Sequence, residues 1–144
     1  MTKPKLATVS WERQGLAFKG VGGSGFTIQF GDPAGPEMAS PMEVVAMASA
    51  ACTAMDVIDI LCKKKQAVTN FEVNVVGIRQ AEHPRKFTEI DLEYVVFGHN
   101  IDPKAVERSI ELSLTKYCSV NQSFSEAVKI KNRYRIIETE PVVA

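Results

Sequence analysis

Residues 40–65 read SPMEVVAMASAACTAMDVIDILCKKK, and this stretch decides the fold. A capping serine and a proline suited to the first helical position open it, and Glu43 completes a capping box with Ser40. The residues from 44 to 55 are apolar or small almost all the way round, so we expect protein to enclose this half of the helix on every side. Three closing lysines offset the negative end of the helix dipole. The sequence therefore predicts a long, buried central helix.

Shorter stretches of alternating or β-branched apolar residues lie on both sides of this helix and predict strands. The predicted elements are an N-terminal β-meander in residues 1–31, a strand pair in residues 70–98 with a turn near His83, a helix in residues 102–117 and a closing strand in residues 127–138. Together they predict one α+β domain over residues 1–144, with antiparallel strands around the central helix.

The composition excludes several classes of partner. Lysine and arginine total 17, as do aspartate and glutamate, so no net field attracts nucleic acid or an anionic membrane. No signal-peptide core follows the first residues, and we expect no run to approach membrane-spanning length. We therefore predict a cytoplasmic protein.

Neither a metal nor a nucleotide is expected. The three cysteines are far apart and lack zinc-ligand spacing, and the two histidines form no cluster with cysteines or acids. Residues 20–25 read GVGGSG, which matches the glycine fingerprint of dinucleotide sites, but residues 26–30 after it alternate as a strand. Because such a site needs a helix there, we interpret the glycines as a turn.

Taken singly, the cysteines leave structural and redox roles open. Cys52 lies among small residues of the central helix, where a free cysteine is often only a small buried hydrophobe. It lies several turns from the helix start, so a nearby cation is required to make it a reactive thiolate. Cys118 ends the predicted 102–117 helix and suits packing or redox chemistry equally. Cys62 is ten residues beyond Cys52, about 15 Å along the helix, so we assign it to structure.

Several segments in combination resemble the OsmC/Ohr family, the osmotically inducible and organic hydroperoxide resistance proteins, and most of all its YhfA-like branch. These segments are SPMEVV at residues 40–45 with AAC at 50–52, HPRKFTEI at 83–90, and KYCSVN at 116–121.

The resemblance implies an OsmC-like fold in an intertwined homodimer, with two active sites at the subunit interface. It also implies that Cys52 attacks a small organic hydroperoxide and that Cys118 resolves the resulting sulfenic acid as a disulfide. An external thiol reductant, often lipoyl-linked, would then reduce this disulfide, and no bound cofactor is expected.

One position departs from the hydroperoxide-resistance pattern, in which a glutamate directly after the proline pairs with a catalytic arginine. Here that position is Met42, and Glu43 remains only a candidate supporting acid because we expect it in the capping box. Arg13 and Arg79 are candidate activating cations. The departure favours an alternative function, a non-catalytic protein that binds a fatty-acyl or other hydrophobic ligand at the dimer interface.

Overall fold

The computed structural model describes residues 7–141, so the first six residues of the predicted meander lie outside the described residues. The elements are β1 (Ala7–Trp11), β2 (Phe18–Gly22), β3 (Thr27–Phe30), α1 (Pro41–Lys63), β4 (Ala67–Arg79), β5 (Phe87–His99), α2 (Pro103–Leu112), a π-helical segment (Ser113–Tyr117), α3 (Ser119–Gln122) and β6 (Lys129–Glu138). The α+β prediction is confirmed. The chain divides into two compact units, one ending at Val45 and the other beginning at Ala46.

The first unit contains the predicted meander, an antiparallel sheet in the order β1-β2-β3. The glycine-rich stretch forms the turn between β2 and β3: Gly25 has a φ of 90°, and the Gly22 N–H donates to the carbonyl of Phe26. A strand follows this turn, which confirms that the glycines do not open a helix.

Both ends of α1 follow from local sequence. The Glu43 N–H donates to the Ser40 hydroxyl at 3.2 Å, and the Ser40 N–H donates to the Glu43 carboxylate at 3.1 Å, so the capping box is confirmed. At the other end Lys65 has a φ of 56°, and the N–H groups of Lys65 and Gln66 donate to the carbonyls of Cys62 and Leu61. This pattern is a Schellman motif, which ends the helix.

One face of α1 is buried and the opposite face is exposed. The buried residues are Ser49, Ala50, Thr53, Val57 and Leu61. Met47 and Met55 are 51% and 70% exposed, so the prediction that protein encloses the helix on every side is wrong for a single chain. The physical reason is that one sheet and its helices cover only one side of a helix.

The expectation that no run approaches membrane-spanning length is also wrong. Helix α1 is long and apolar enough to cross a membrane by length and composition alone, because its many alanines add to its apolar character. Core helices of soluble proteins pass the same test, so this single helix indicates a membrane protein only weakly.

The second unit contains a sheet in the order β4-β5-β6. Strands β4 and β5 pair antiparallel, as predicted, but β6 pairs with β5 in parallel, so the expectation of antiparallel strands throughout is wrong. The helices between β5 and β6 return the chain to the end where β5 began, and β6 therefore runs in the same direction. Central β5 supplies much of the core: Ile90, Leu92, Tyr94, Val95 and Val96 are all fully buried.

The predicted 102–117 helix has the expected start but changes its winding midway. Asp102 caps it by accepting from the Lys104 N–H at 3.0 Å, and Pro103 opens it. From Ser113 to Tyr117 the winding is π-helical, and the Cys118 N–H donates to the Ser113 carbonyl at 2.7 Å. The π-helical segment therefore sets the point at which Cys118 leaves the helix.

Candidate functional site

Two of the three cysteines meet in the second unit. Cys52 lies in the middle of α1 and is half-buried, whereas Cys118 follows the π-helical segment and is 0% exposed. Their thiols lie close enough together that each affects the pKa of the other. Cys62 is exposed near the end of α1.

Cys52 is the more acidic of the two thiols. Burial, the largest single influence, raises the pKa of Cys52, but hydrogen bonds from the Val120 N–H, the Cys118 thiol and the Ser119 hydroxyl outweigh it. The Ser119 Oγ lies 3.9 Å from the Cys52 Sγ. The net effect is a lowered pKa for Cys52, although the nearby Asp56 carboxylate opposes it. From the sequence we expected a nearby cation to lower the pKa of Cys52, whereas in the structure hydrogen bonds lower it.

Cys118 is shifted in the opposite direction. Burial is the main cause that raises the pKa of the Cys118 thiol, and the negative charge on an ionised Cys52 raises it further. Hydrogen bonds from Asn121 oppose these effects without overcoming them. Cys52 therefore ionises more readily than Cys118, and a more readily ionised thiol is the better nucleophile.

A buried asparagine holds Cys118. The Asn121 Nδ2 donates to the Cys118 Sγ at 2.9 Å and to the Ser49 carbonyl at 3.2 Å, and its Oδ1 accepts from the Ser49 hydroxyl at 2.5 Å. The sequence analysis missed this role, although Asn121 closes the KYCSVN string and Ser49 interrupts an apolar helix.

A second polar network lies one turn further along α1. The Thr53 hydroxyl bonds to the hydroxyls of Tyr94 at 2.8 Å and Ser113 at 2.7 Å, and Ser113 donates to the Asp56 carboxylate at 2.9 Å. Burial is the main cause that raises the pKa of Tyr94, to about 12. Because Ser113 begins the π-helical segment, this network ties α1 to the segment that leads to Cys118.

The other predicted site residues have different environments. Glu43 bonds within the capping box, and the Arg79 Nε at the end of β4 donates to the Arg85 carbonyl at 2.7 Å. Arg13 has a φ of 62° in the turn between β1 and β2. Within residues 46–141, Asp56 is the one charged group among the main influences on the pKa of Cys52.

An open cleft lies one helical turn from Cys52 along α1, and the described residues contain no set of metal ligands. A cleft of about 310 Å³ runs along α1, lined by Asp56, Asp59, Ile60, Lys63, Leu112 and Tyr117. Asp56 is one helical turn after Cys52, so the cleft and the half-buried thiol share one face of the helix. In the part of the chain that the structure describes, no group of three or more histidines, cysteines or acids is arranged to hold a metal ion.

Comparisons with known proteins place the chain in a family. The sequence profile of OsmC-like proteins matches residues 34–133. Protein YhfA of Escherichia coli (strain K12) is 40% identical over 131 residues, which are 91% of this chain and 97% of YhfA.

Solved structures show the same fold. A hypothetical protein from Aquifex aeolicus VF5 superposes with a TM-score of 0.84 at 27% identity, over 96% of this chain and 100% of that one. An organic hydroperoxide resistance protein from Elizabethkingia anophelis has a TM-score of 0.67 at 12% identity, over 96% and 99% of the two chains, and this likeness concerns the fold alone. On the profile match and the similarity to YhfA, this chain belongs to the OsmC-like family.

Proposed function

We propose that this protein is a thiol peroxidase that reduces organic hydroperoxides through Cys52 and Cys118. The Cys52 thiolate attacks the peroxide, so that an S–O bond forms, the O–O bond breaks, and the alkoxide leaves as an alcohol after taking up a proton. Cys52 is then a sulfenic acid. Cys118 loses its proton and attacks the Cys52 sulfur, so that an S–S bond forms and the hydroxyl group leaves with that proton as water.

The reaction needs an external thiol reductant to complete the cycle. Two thiols, or a dithiol of the lipoyl type, reduce the Cys52–Cys118 disulfide by thiol–disulfide exchange and become a disulfide themselves. No bound cofactor enters these steps, and we place the reaction in the reducing cytoplasm.

The observation that carries the proposal is the proximity of two thiols whose pKa values are shifted in opposite directions. Cys52 has a lowered pKa and is half-buried, while Cys118 has a raised pKa and lies close enough to affect the pKa of Cys52. A peroxidatic thiol needs thiolate character and access, and a resolving thiol needs only to lie within reach. Membership of the OsmC-like family is consistent with this chemistry.

We also propose that the protein acts as a homodimer, in which a second copy covers the exposed face of α1. The large apolar side chains on this face, Met47 and Met55, are mostly exposed in one chain. Apolar surface of this kind favours association with a surface of the same character.

The direct test is to oxidise the reduced protein and locate the bond that forms. Substoichiometric cumene hydroperoxide should consume two thiols for each molecule of peroxide added, and peptide mapping should find Cys52 joined to Cys118. Cys52→Ser should abolish thiol loss, and Cys118→Ser should stop at a sulfenic acid that dimedone captures. Cys62→Ser is the matched control and should react like the unaltered protein. Survival of both thiols in excess peroxide would refute the peroxidase.

A second candidate function rests on an apolar cavity in the first unit. This cavity of about 540 Å³ is lined by Val9, Leu16, Phe18, Phe30, Gly31, Asp32 and Pro41. Its size and its apolar walls suit a fatty-acyl or other hydrophobic ligand. Leu16→Asp should weaken the binding of a fluorescent fatty acid if the cavity holds it, while leaving peroxide consumption by Cys52 unchanged.

A further inference from the structure

Asn121 is a buried polar side chain with every polar atom engaged. It is 5% exposed, and its amide bonds to the Ser49 hydroxyl, the Ser49 carbonyl and the Cys118 sulfur. A buried amide with three partners on two separate elements holds those elements in one fixed arrangement. Asn121 therefore joins Cys118 to the turn of α1 that precedes Cys52.

The partners also determine which way the amide faces. The Ser49 carbonyl can only accept a hydrogen bond, so the atom of Asn121 that contacts it at 3.2 Å must be the Nδ2 donor. The second N–H of the same nitrogen then donates to the Cys118 Sγ at 2.9 Å. The Oδ1 is left to accept from the Ser49 hydroxyl. Reversing the amide would place an oxygen against the carbonyl, which is unfavourable.

This orientation limits where the Cys118 proton can point. Because Asn121 donates to the sulfur, the S–H bond of Cys118 points away from this amide, and the Cys52 sulfur lies close enough to affect the pKa of Cys118. We propose that Asn121, held by Ser49, is a positioning residue that directs the Cys118 thiol proton toward Cys52. This inference rests on the proposed function and deepens it, because it names the residue that orients the Cys118 thiol beside Cys52.

The resulting hydrogen bonds all run in one direction. Ser49 donates to Asn121 and Asn121 donates to Cys118, and the proposed orientation continues this direction from the Cys118 thiol to Cys52. Donors aligned in this way polarise one another and stabilise negative charge at the end of the chain. After peroxide has oxidised Cys52, the same Nδ2 donor stabilises Cys118 as its proton leaves and its sulfur attacks.

The test is the pH dependence of Cys52 alkylation by iodoacetamide, read by peptide mass in a Cys62→Ser background. Asn121→Asp keeps the side-chain shape but replaces the donor with an acceptor, so the Cys118 proton should turn away from Cys52. We expect the alkylation midpoint of Cys52 to move to higher pH and its rate at pH 7 to fall about tenfold, the factor for one lost hydrogen bond to a charged sulfur. Because the new carboxylate of Asn121→Asp also raises the pKa of a nearby thiol, Asn121→Ala, which removes the donor without adding charge, is the deciding variant and should shift the midpoint in the same direction.

The control is Asn74→Asp, the same change at an exposed asparagine that bonds to Glu93 on the sheet. It should leave the Cys52 midpoint unchanged. A purely structural role for Asn121 would lower the melting temperature without moving the midpoint, so a folded Asn121→Asp or Asn121→Ala variant with an unchanged midpoint overturns the inference. The assay contains no peroxide. A failed peroxidase test and a failed positioning test are therefore separate results.

Discussion

Replacing either partner of one buried hydrogen bond should lower the free energy of unfolding, but by unequal amounts. The bond joins the hydroxyls of Thr53 and Tyr94, two side chains that are both 0% exposed. In Tyr94→Phe, Thr53 keeps its second partner, Ser113, at 2.7 Å. Thr53→Val removes both bonds of Thr53: Ser113 keeps Asp56 as a partner, but the Tyr94 hydroxyl stays buried and loses Thr53, its hydrogen-bond partner among the described residues.

The expected magnitudes follow from this difference. Tyr94→Phe loses one satisfied hydrogen bond, so the free energy of unfolding should fall by about 1 kcal/mol. Thr53→Val adds the penalty for an unsatisfied buried hydroxyl and should cost about 2–3 kcal/mol. Because Tyr94→Phe removes that unsatisfied group, the double variant should be more stable than Thr53→Val alone.

Urea unfolding followed by circular dichroism measures these differences, at one protein concentration so that association affects every variant equally. Equal m values would show that the transitions are comparable. Equal costs for the two single variants, or additive costs in the double variant, would refute the reasoning and show that Tyr94 finds another partner when Thr53 is removed.

Three further results are expected. The pKa of Tyr94 is raised from 10 to about 12 in the folded protein, so its contribution to stability is complete below pH 10 and is lost as the pH rises to 12. The free energy of unfolding should fall by about 2–3 kcal/mol over this range, and this loss should be absent in Tyr94→Phe. Asp56→Asn should shift Cys52 alkylation to lower pH, since the carboxylate raises that thiol's pKa, whereas Asp59→Asn, whose charge is paired with a lysine, should shift it less. Met55→Lys should shift sedimentation toward the 15.8 kDa monomer if a second copy covers α1, and unchanged sedimentation would contradict that dimer.

Elements with strong local signals were predicted closely. The 40–65 prediction for α1 agrees with Pro41–Lys63 within two residues at either end, because the capping box and the Schellman turn each involve only a few neighbouring residues. The predicted strand pair agrees with β4 and β5, since alternation reports burial on one face of a strand.

Features that depend on distant residues were predicted less well. The parallel pairing of β6 follows from the path of the intervening helices, and the π-helical winding at Ser113 is coupled to hydrogen bonds with Thr53 and Asp56 on another element. The exposed face of α1 was missed because an apolar helix has the same pattern whether its own chain or a second copy covers it.

The sequence by itself determined the boundaries of the main elements, the α+β class and, through short strings around Cys52 and Cys118, the resemblance to the family. Only the tertiary structure decided that these two thiols meet and that hydrogen bonds from residues 118–120 acidify Cys52. The physical reason is that helix caps and alternation act over a few residues. The pKa of Cys52, in contrast, depends on donors such as Ser119, 67 residues away along the chain, which only packing brings into contact.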